Sequence, residues 1–155
     1  MAMDDEISTT AEYAEAAAMR LGRAVHADPA TGPTPEQEPL PDAVQKKPVE
    51  SKSPAEWAYE RLILYIKGFE KTLDNEHEVA MGFTDTGAGV LKIEGLGYFD
   101  PDIVTFYGTD GSGARVQLVQ HVSQLNVLLR AMRKPDTEAA PRRIGFELAK
   151  GLDTA

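Results

Sequence analysis

The sequence predicts an α+β domain, and three observations point to it. A helix start with several coincident signals sits at Ser53, the apolar period changes from about 3.6 to 2 after Asp74-Asn75, and a proline-rich stretch separates the folded part from what precedes it. The expected order over residues 53–149 is an N-terminal helix, a four-stranded antiparallel meander, a second helix and a fifth strand.

The helix is the clearest element. In SPAE, Ser53 is a good N-cap, Pro54 suits the first helical position, and Glu56 has the capping-box spacing. Ala58, Leu62, Tyr65, Phe69 and Leu73 follow at helical spacing, with Ile66 and Trp57 widening the stripe, so one face must be buried. After Asn75, Val79, Met81 and Phe83 alternate with Glu78, Ala80 and Gly82. TDTGAG then turns the chain, and Leu91 and Ile93 fall on one side of a returning strand. A second hairpin joins IVTFYGT to ARVQLVQ through DGSG, in which Asp110-Gly111 adopts positive φ at low cost. Pro101 separates the two hairpins.

ARVQLVQHVSQLNVLLRAM, residues 114–132, admits two readings. As one long helix, Leu118, Val122, Leu125, Leu129 and Met132 form a stripe; as strand then helix, Ser123 becomes an N-cap and Leu125, Leu128, Leu129 and Met132 line the helix. The second is preferred because DGSG needs a partner strand after Gly113. Arg130, Arg133 and Lys134 would then complement the helix C-terminus, and Pro135 would close it. RRIGFELAKG alternates Ile144, Phe146 and Leu148, which predicts the fifth strand. Two helices would cover one sheet face, leaving the other solvated or as an oligomer interface.

Three further segments flank this domain. Residues 1–26 are acidic and contain STTAEYAEAAAMRLG, where Thr9, Glu12 and Gly22 frame a short Ala-rich helix with a thin apolar face. Residues 27–52 contain Pro29, Pro33, Pro35, Pro39, Pro41 and Pro48 and few large apolar side chains, which predicts a disordered linker. Residues 150–155 form a tail.

Composition narrows the chemistry. There is no cysteine among the 155 residues, which removes disulfides, thiolate metal sites and thiol nucleophiles. The net charge of -9 is spread so that no segment is basic: residues 1–52 carry 5 basic and 10 acidic side chains, 53–134 carry 8 and 11, and 135–155 carry 3 and 4. Such a balance counts against non-specific nucleic-acid binding, which needs clustered Lys and Arg. The start, MAMDDEISTT, is acidic where a secretory leader is basic, and no stretch has the uninterrupted apolar length of a membrane span. The expectation is a soluble cytoplasmic protein.

No catalytic constellation, cofactor site or metal site is expected. GTDGSG, residues 108–113, lacks the Lys and the following helix of a phosphate loop, and Ser112 is not in a nucleophile elbow. Asp100, Asp102 and Asp110 lack calcium-loop spacing. His121 is read as a hydrogen-bonded residue at a strand end, because neither a base's partner nor further metal ligands lie nearby in sequence. A partner or ligand surface, if there is one, is expected around Gln120, His121, Gln124, Tyr98 and Tyr107. Alternation forces one aromatic of each pair, Tyr98-Phe99 and Phe106-Tyr107, onto the second sheet face.

On PDIVTFYGTDGSGARVQLVQHVSQLNVLL and RRIGFEL, the block from about Ser53 to Leu148 resembles an uncharacterised bacterial domain family of unknown function, which implies a shared fold and no activity. On FDPDIVTFYG and VQHV it also resembles Sm-like RNA-binding proteins, which implies a helix before a bent antiparallel sheet and a histidine on a strand. It departs from them in having Gln120 where a basic residue precedes the histidine, in its acidic charge, and in the helix expected after Ser123. The functional expectation is a non-enzymatic interaction or self-association module with an unknown protein partner. The alternatives are Sm-like RNA binding and an enzyme using His121.

Overall fold

A computed structural model of the chain describes residues 24–27, 34–39, 41, 44, 51–83, 89–135 and 139–154. The chain divides into two compact units, residues 1–39 and 40–155. The second holds helix α1 (Pro54–Glu70), strands β1 (His77–Phe83), β2 (Val90–Phe99), β3 (Ile103–Thr109) and β4 (Arg115–His121), a single 3-10 turn (Val122–Gln124), strand β5 (Val127–Arg133) and helix α2 (Ile144–Thr154). No helix among the described residues is long and apolar enough to cross a membrane.

The α+β class, the leading helix and the four-stranded meander are as expected. The last two elements exchange places: the fifth strand is Val127–Arg133, where a helix was expected, and Ile144–Thr154, expected to hold a strand, is helical. The tail expected from residue 150 is the last turn of α2.

Ser53 caps α1 as its sequence predicts, its Oγ accepting from Glu56 N at 3.0 Å. The same hydroxyl donates to Asp100 Oδ1 at 2.5 Å, and Ala55 N donates to Pro101 O at 3.0 Å, which ties the helix start to the β2–β3 turn. That turn contains a cis Asp100–Pro101 peptide. The buried residues of α1 are Ala55, Glu60, Ile63, Ile66 and Glu70, whereas Tyr65, placed in the stripe by spacing, is 43% exposed.

Burial on two sides of α1 explains that difference. Ala55 and Ile66 belong to the sheet core, while Ile63 is buried outside it. Lys52, itself buried, donates to the carbonyl of buried Val44 and to Glu60 Oε2 at 2.8 Å. Lys52 therefore links Val44 to α1, and these two buried residues lie within the stretch expected to be a disordered linker. In the first unit, Thr34 to Gln37 form a hydrogen-bonded turn, with Gln37 N donating to Thr34 O at 2.8 Å. The Ala-rich helix expected near the N-terminus lies outside the described residues.

The sheet order is β4-β3-β2-β1-β5, all antiparallel neighbours. Five residues, Val122 to Asn126, join its two edge strands. In a flat sheet the end of β4 and the start of β5 would lie about 28 Å apart, four strand spacings across and one strand length along. A link with one 3-10 turn reaches only about 17 Å. The sheet must therefore be sharply bent, and β2 is where it bends. Its first residues pair with β1 (Met81↔Leu91, Gly82↔Val90), and from Lys92 onward it pairs with β3, with a register shift between Ile93 and Gly95. Gly108 lies opposite this irregularity, where any Cβ would collide with the Lys92 carbonyl.

The bend wraps both halves around one core. Met81, Phe83, Leu91, Ile93, Val104 and Phe106 are each at most 4% exposed, and the Phe83 and Phe106 rings meet edge to face at 4.8 Å. Ile144 and Leu148 of α2 close it from the side. Where β2 leaves β1, the residues before α2 take over its hydrogen bonding. Arg142 N donates to Glu78 Oε2 at 2.5 Å and its guanidinium to Ile93 O, while Arg143 donates to His77 O and Asp74 O.

Candidate functional site

The β3–β4 register fixes which side chains share a face. Ile103, Thr105 and Tyr107 stand opposite His121, Val119 and Gln117, and Phe99 pairs with Ile103 on the other side. This set faces outward. Phe99 is 75% and Val119 57% exposed, and His121 and Tyr107 are also exposed. Beside Tyr107, β2 presents only Gly95 and Gly97, so its outer surface there carries no side chain and the tyrosine ring lies against the backbone.

The five residues singled out from sequence are divided by this geometry. His121, Gln124 and Tyr107 are exposed, whereas Gln120 is buried and Tyr98, though 38% exposed, lies on the helix side. Tyr98 packs its ring 5.0 Å from that of Tyr59 on α1, where burial raises the Tyr59 hydroxyl pKa. Gln120 is 7% exposed, and its Oε1 has no hydrogen-bond partner among the described residues. The alternation argument holds for both aromatic pairs: Phe106 is in the core with Tyr107 outside, and Tyr98 faces α1 with Phe99 outside.

His121 is the cap of the 3-10 turn, the role expected for Ser123. Its Nδ1 accepts from Ser123 N at 3.1 Å and lies 2.8 Å from Ser123 Oγ, and Gln124 Oε1 accepts from His121 N at 2.9 Å. With Nδ1 accepting, Nε2 carries the proton and donates to Asp102 Oδ2 at 3.1 Å. Asp102 also accepts Val122 N on its backbone carbonyl, at 2.8 Å.

An Asp–His–Ser line is thus present at an exposed corner, and a nearby carboxylate is what the enzyme alternative required. The arrangement is nevertheless that of a cap. The Nδ1 lone pair already faces a backbone N–H, whereas a general base must aim it at a substrate proton. Asp102 lies 19 positions from His121, so no local window of sequence pairs the two. Working the hairpin register through to Ile103↔His121 would have found it.

The other histidines are similarly occupied. His77 Nδ1 bonds Asp74 at 2.7 Å, and His26, in the first unit, bonds Thr34. Among the described residues no three metal-ligating side chains converge.

The helix expected after Ser123 is only a 3-10 turn. Residues 48–147 match a family described as a family of unknown function, DUF6173. No curated protein and no solved structure matches the chain.

Proposed function

We propose, for a chain that belongs to this family of unknown function, a non-enzymatic role as a self-association module that pairs edge to edge, β4 of one copy against β5 of the next. The observation that carries this reading is the pair of seven-residue edge strands, neither of which has a neighbour on its outer side among the described residues. Exposed strand edges are templates for further pairing. Both edges also present apolar side chains outward, Val119 on β4 and Leu128 and Met132 on β5, with Leu128 58% exposed. A β5–β5 pair registered with Arg130 opposite Arg133 would set like charges against each other, whereas β4 carries Arg115 alone, and β4 is taken as the complementary edge. A heterologous contact of this kind builds a ring when the rotation closes.

Light scattering on the full chain over a concentration series tests the proposal. The expected result is a discrete multiple of the 16.9 kDa chain mass, reduced to one copy in the double variant Val119→Lys/Leu128→Lys with its circular dichroism unchanged. A wild-type chain that stays monomeric at every concentration would remove it.

A second reading, binding of single-stranded RNA, is supported by the outward grouping of Phe99, Tyr107 and His121 and by the Sm-like resemblance, since exposed aromatics stack on bases. Salt-sensitive anisotropy changes with a mixed RNA oligonucleotide are expected on that reading. Their loss in Phe99→Ala/Tyr107→Ala would assign them to this face.

A further inference from the structure

We propose that the recess where β2 departs from β1 is a binding site for a compact oxyanion, a phosphate or sulfate group. It is independent of the edge pairing. The recess has a volume of about 180 Å³, and the described residues that line it are Lys92, Lys134 and Arg142, one carboxylate, Glu78, and Pro135 and Ala139–Ala140, which close it. Among the described lining residues three cations stand against one anion, in a chain with a net charge of -9.

Among the described residues, donors in the recess outnumber the acceptors that meet them. Lys134 is 8% exposed, and among the described residues one of its three ammonium protons has an acceptor, Ala139 O at 2.6 Å. Arg142 uses its guanidinium NH2 group on Ile93 O, while its buried Nε has no acceptor among the described residues. Glu78 Oε2 accepts a backbone N–H, from Arg142, and Glu78 forms no ion pair with any of the three cations. A buried ammonium is costly unless paired and hydrogen-bonded. A tetrahedral oxyanion supplies several acceptor oxygens and negative charge together, which is what this wall of donors lacks. Lys92, exposed at the rim, provides the entry charge.

Titration of the full chain with inorganic phosphate, at ionic strength held constant with sodium chloride, is the test. Saturable amide shifts at Lys92, Lys134 and Arg142 are expected, with a melting temperature that rises with phosphate and not with chloride. Lys134→Met should weaken binding about tenfold or more, beyond the modest stability loss expected in phosphate-free buffer from its bond to Ala139 O. Glu78→Gln, which keeps the acceptor for Arg142 N and removes the opposing charge, should tighten it. Should Lys134→Met fail to fold, Lys92→Gln at the rim takes its place, with an expected weakening of about threefold. Phosphate and chloride acting alike, or saturation unchanged in the Lys variant, would overturn the proposal.

Discussion

Asp102 Oδ2 lies 3.1 Å from His121 Nε2, joining the β2–β3 turn to the last residue of β4. The histidine caps the 3-10 turn through its other nitrogen, so one ring holds together the two places where the outer half of the sheet reverses. Removing it with His121→Ala should cost about 1 kcal/mol, the usual size of a lost cap. Asp102→Asn keeps an acceptor and should cost less. Denaturant midpoints for the two variants check the order. A larger loss in Asp102→Asn would mean that charge, and not the hydrogen bond, holds the corner.

Glu70 gives the fold a dependence on pH. It is 2% exposed, its Oε1 accepts Phe146 N at 3.3 Å at the start of α2, and burial raises its pKa above the ordinary carboxylate value against the opposing backbone hydrogen bonds and Arg143. A folded-state pKa above the unfolded one means that the native chain holds the proton longer. This group therefore favours folding most at acid pH, and that contribution is lost as pH rises from the unfolded carboxylate pKa through the folded one. In Glu70→Gln the fall in stability over that window should flatten, measured as melting temperature from pH 4 upward. A slope identical to wild type would assign it to other groups.

The buried pair Lys52–Glu60, with side chains 1% and 8% exposed, should respond unequally to single and double changes. Breaking it with Glu60→Leu alone leaves the ammonium over Trp57 without its carboxylate and should cost about 3–5 kcal/mol. Lys52→Met with Glu60→Leu should recover most of that loss. Additive losses in a double-mutant cycle would contradict it.

Gly145 lies where α2 crosses the end of α1. A Cβ there would stand 2.7 Å from both Lys67 N and Glu70 Oε1, and the first of these is backbone that cannot turn aside. Gly145→Ala should cost about 1–3 kcal/mol by overpacking. Gly151→Ala, with open space around it, should be neutral or mildly stabilising, as glycine is a poor helix former. Urea denaturation of both separates packing from propensity.

Local signals were readable in the sequence and distant ones were not. The Ser53 cap and the Asp110-Gly111 turn depend on residues within one turn of chain, and both stand where expected. The exchange of helix and strand after Ser123 has a tertiary cause. From Glu78 to Phe83 every residue of β1 is buried, and β2 pairs with only two of its residues, so β1 needs a neighbour on its other side. VLLRAMR supplies it despite apolar spacing that also suits a helix. RRIGFELAK is too short to separate period 2 from Ile144 and Leu148 at i, i+4, and those two residues reach the core from α2. The corner at His121 needed the hairpin register, and the recess gathers residues 78, 92, 134 and 142 from four separate segments, a grouping that no sequence window contains.

The five-residue link between the two edges also orders events in time. The β1–β5 ladder pairs residues 44 to 56 positions apart, from Phe83 with Val127 to His77 with Arg133, while the β3–β4 hairpin closes through a short turn. Loop-closure entropy makes the long pairing the slower to form. The last strand to join is then one of the two edge strands, so a chain caught late in folding exposes the β1 edge that β5 should cover, and a second chain's β5 can fill it as readily as its own.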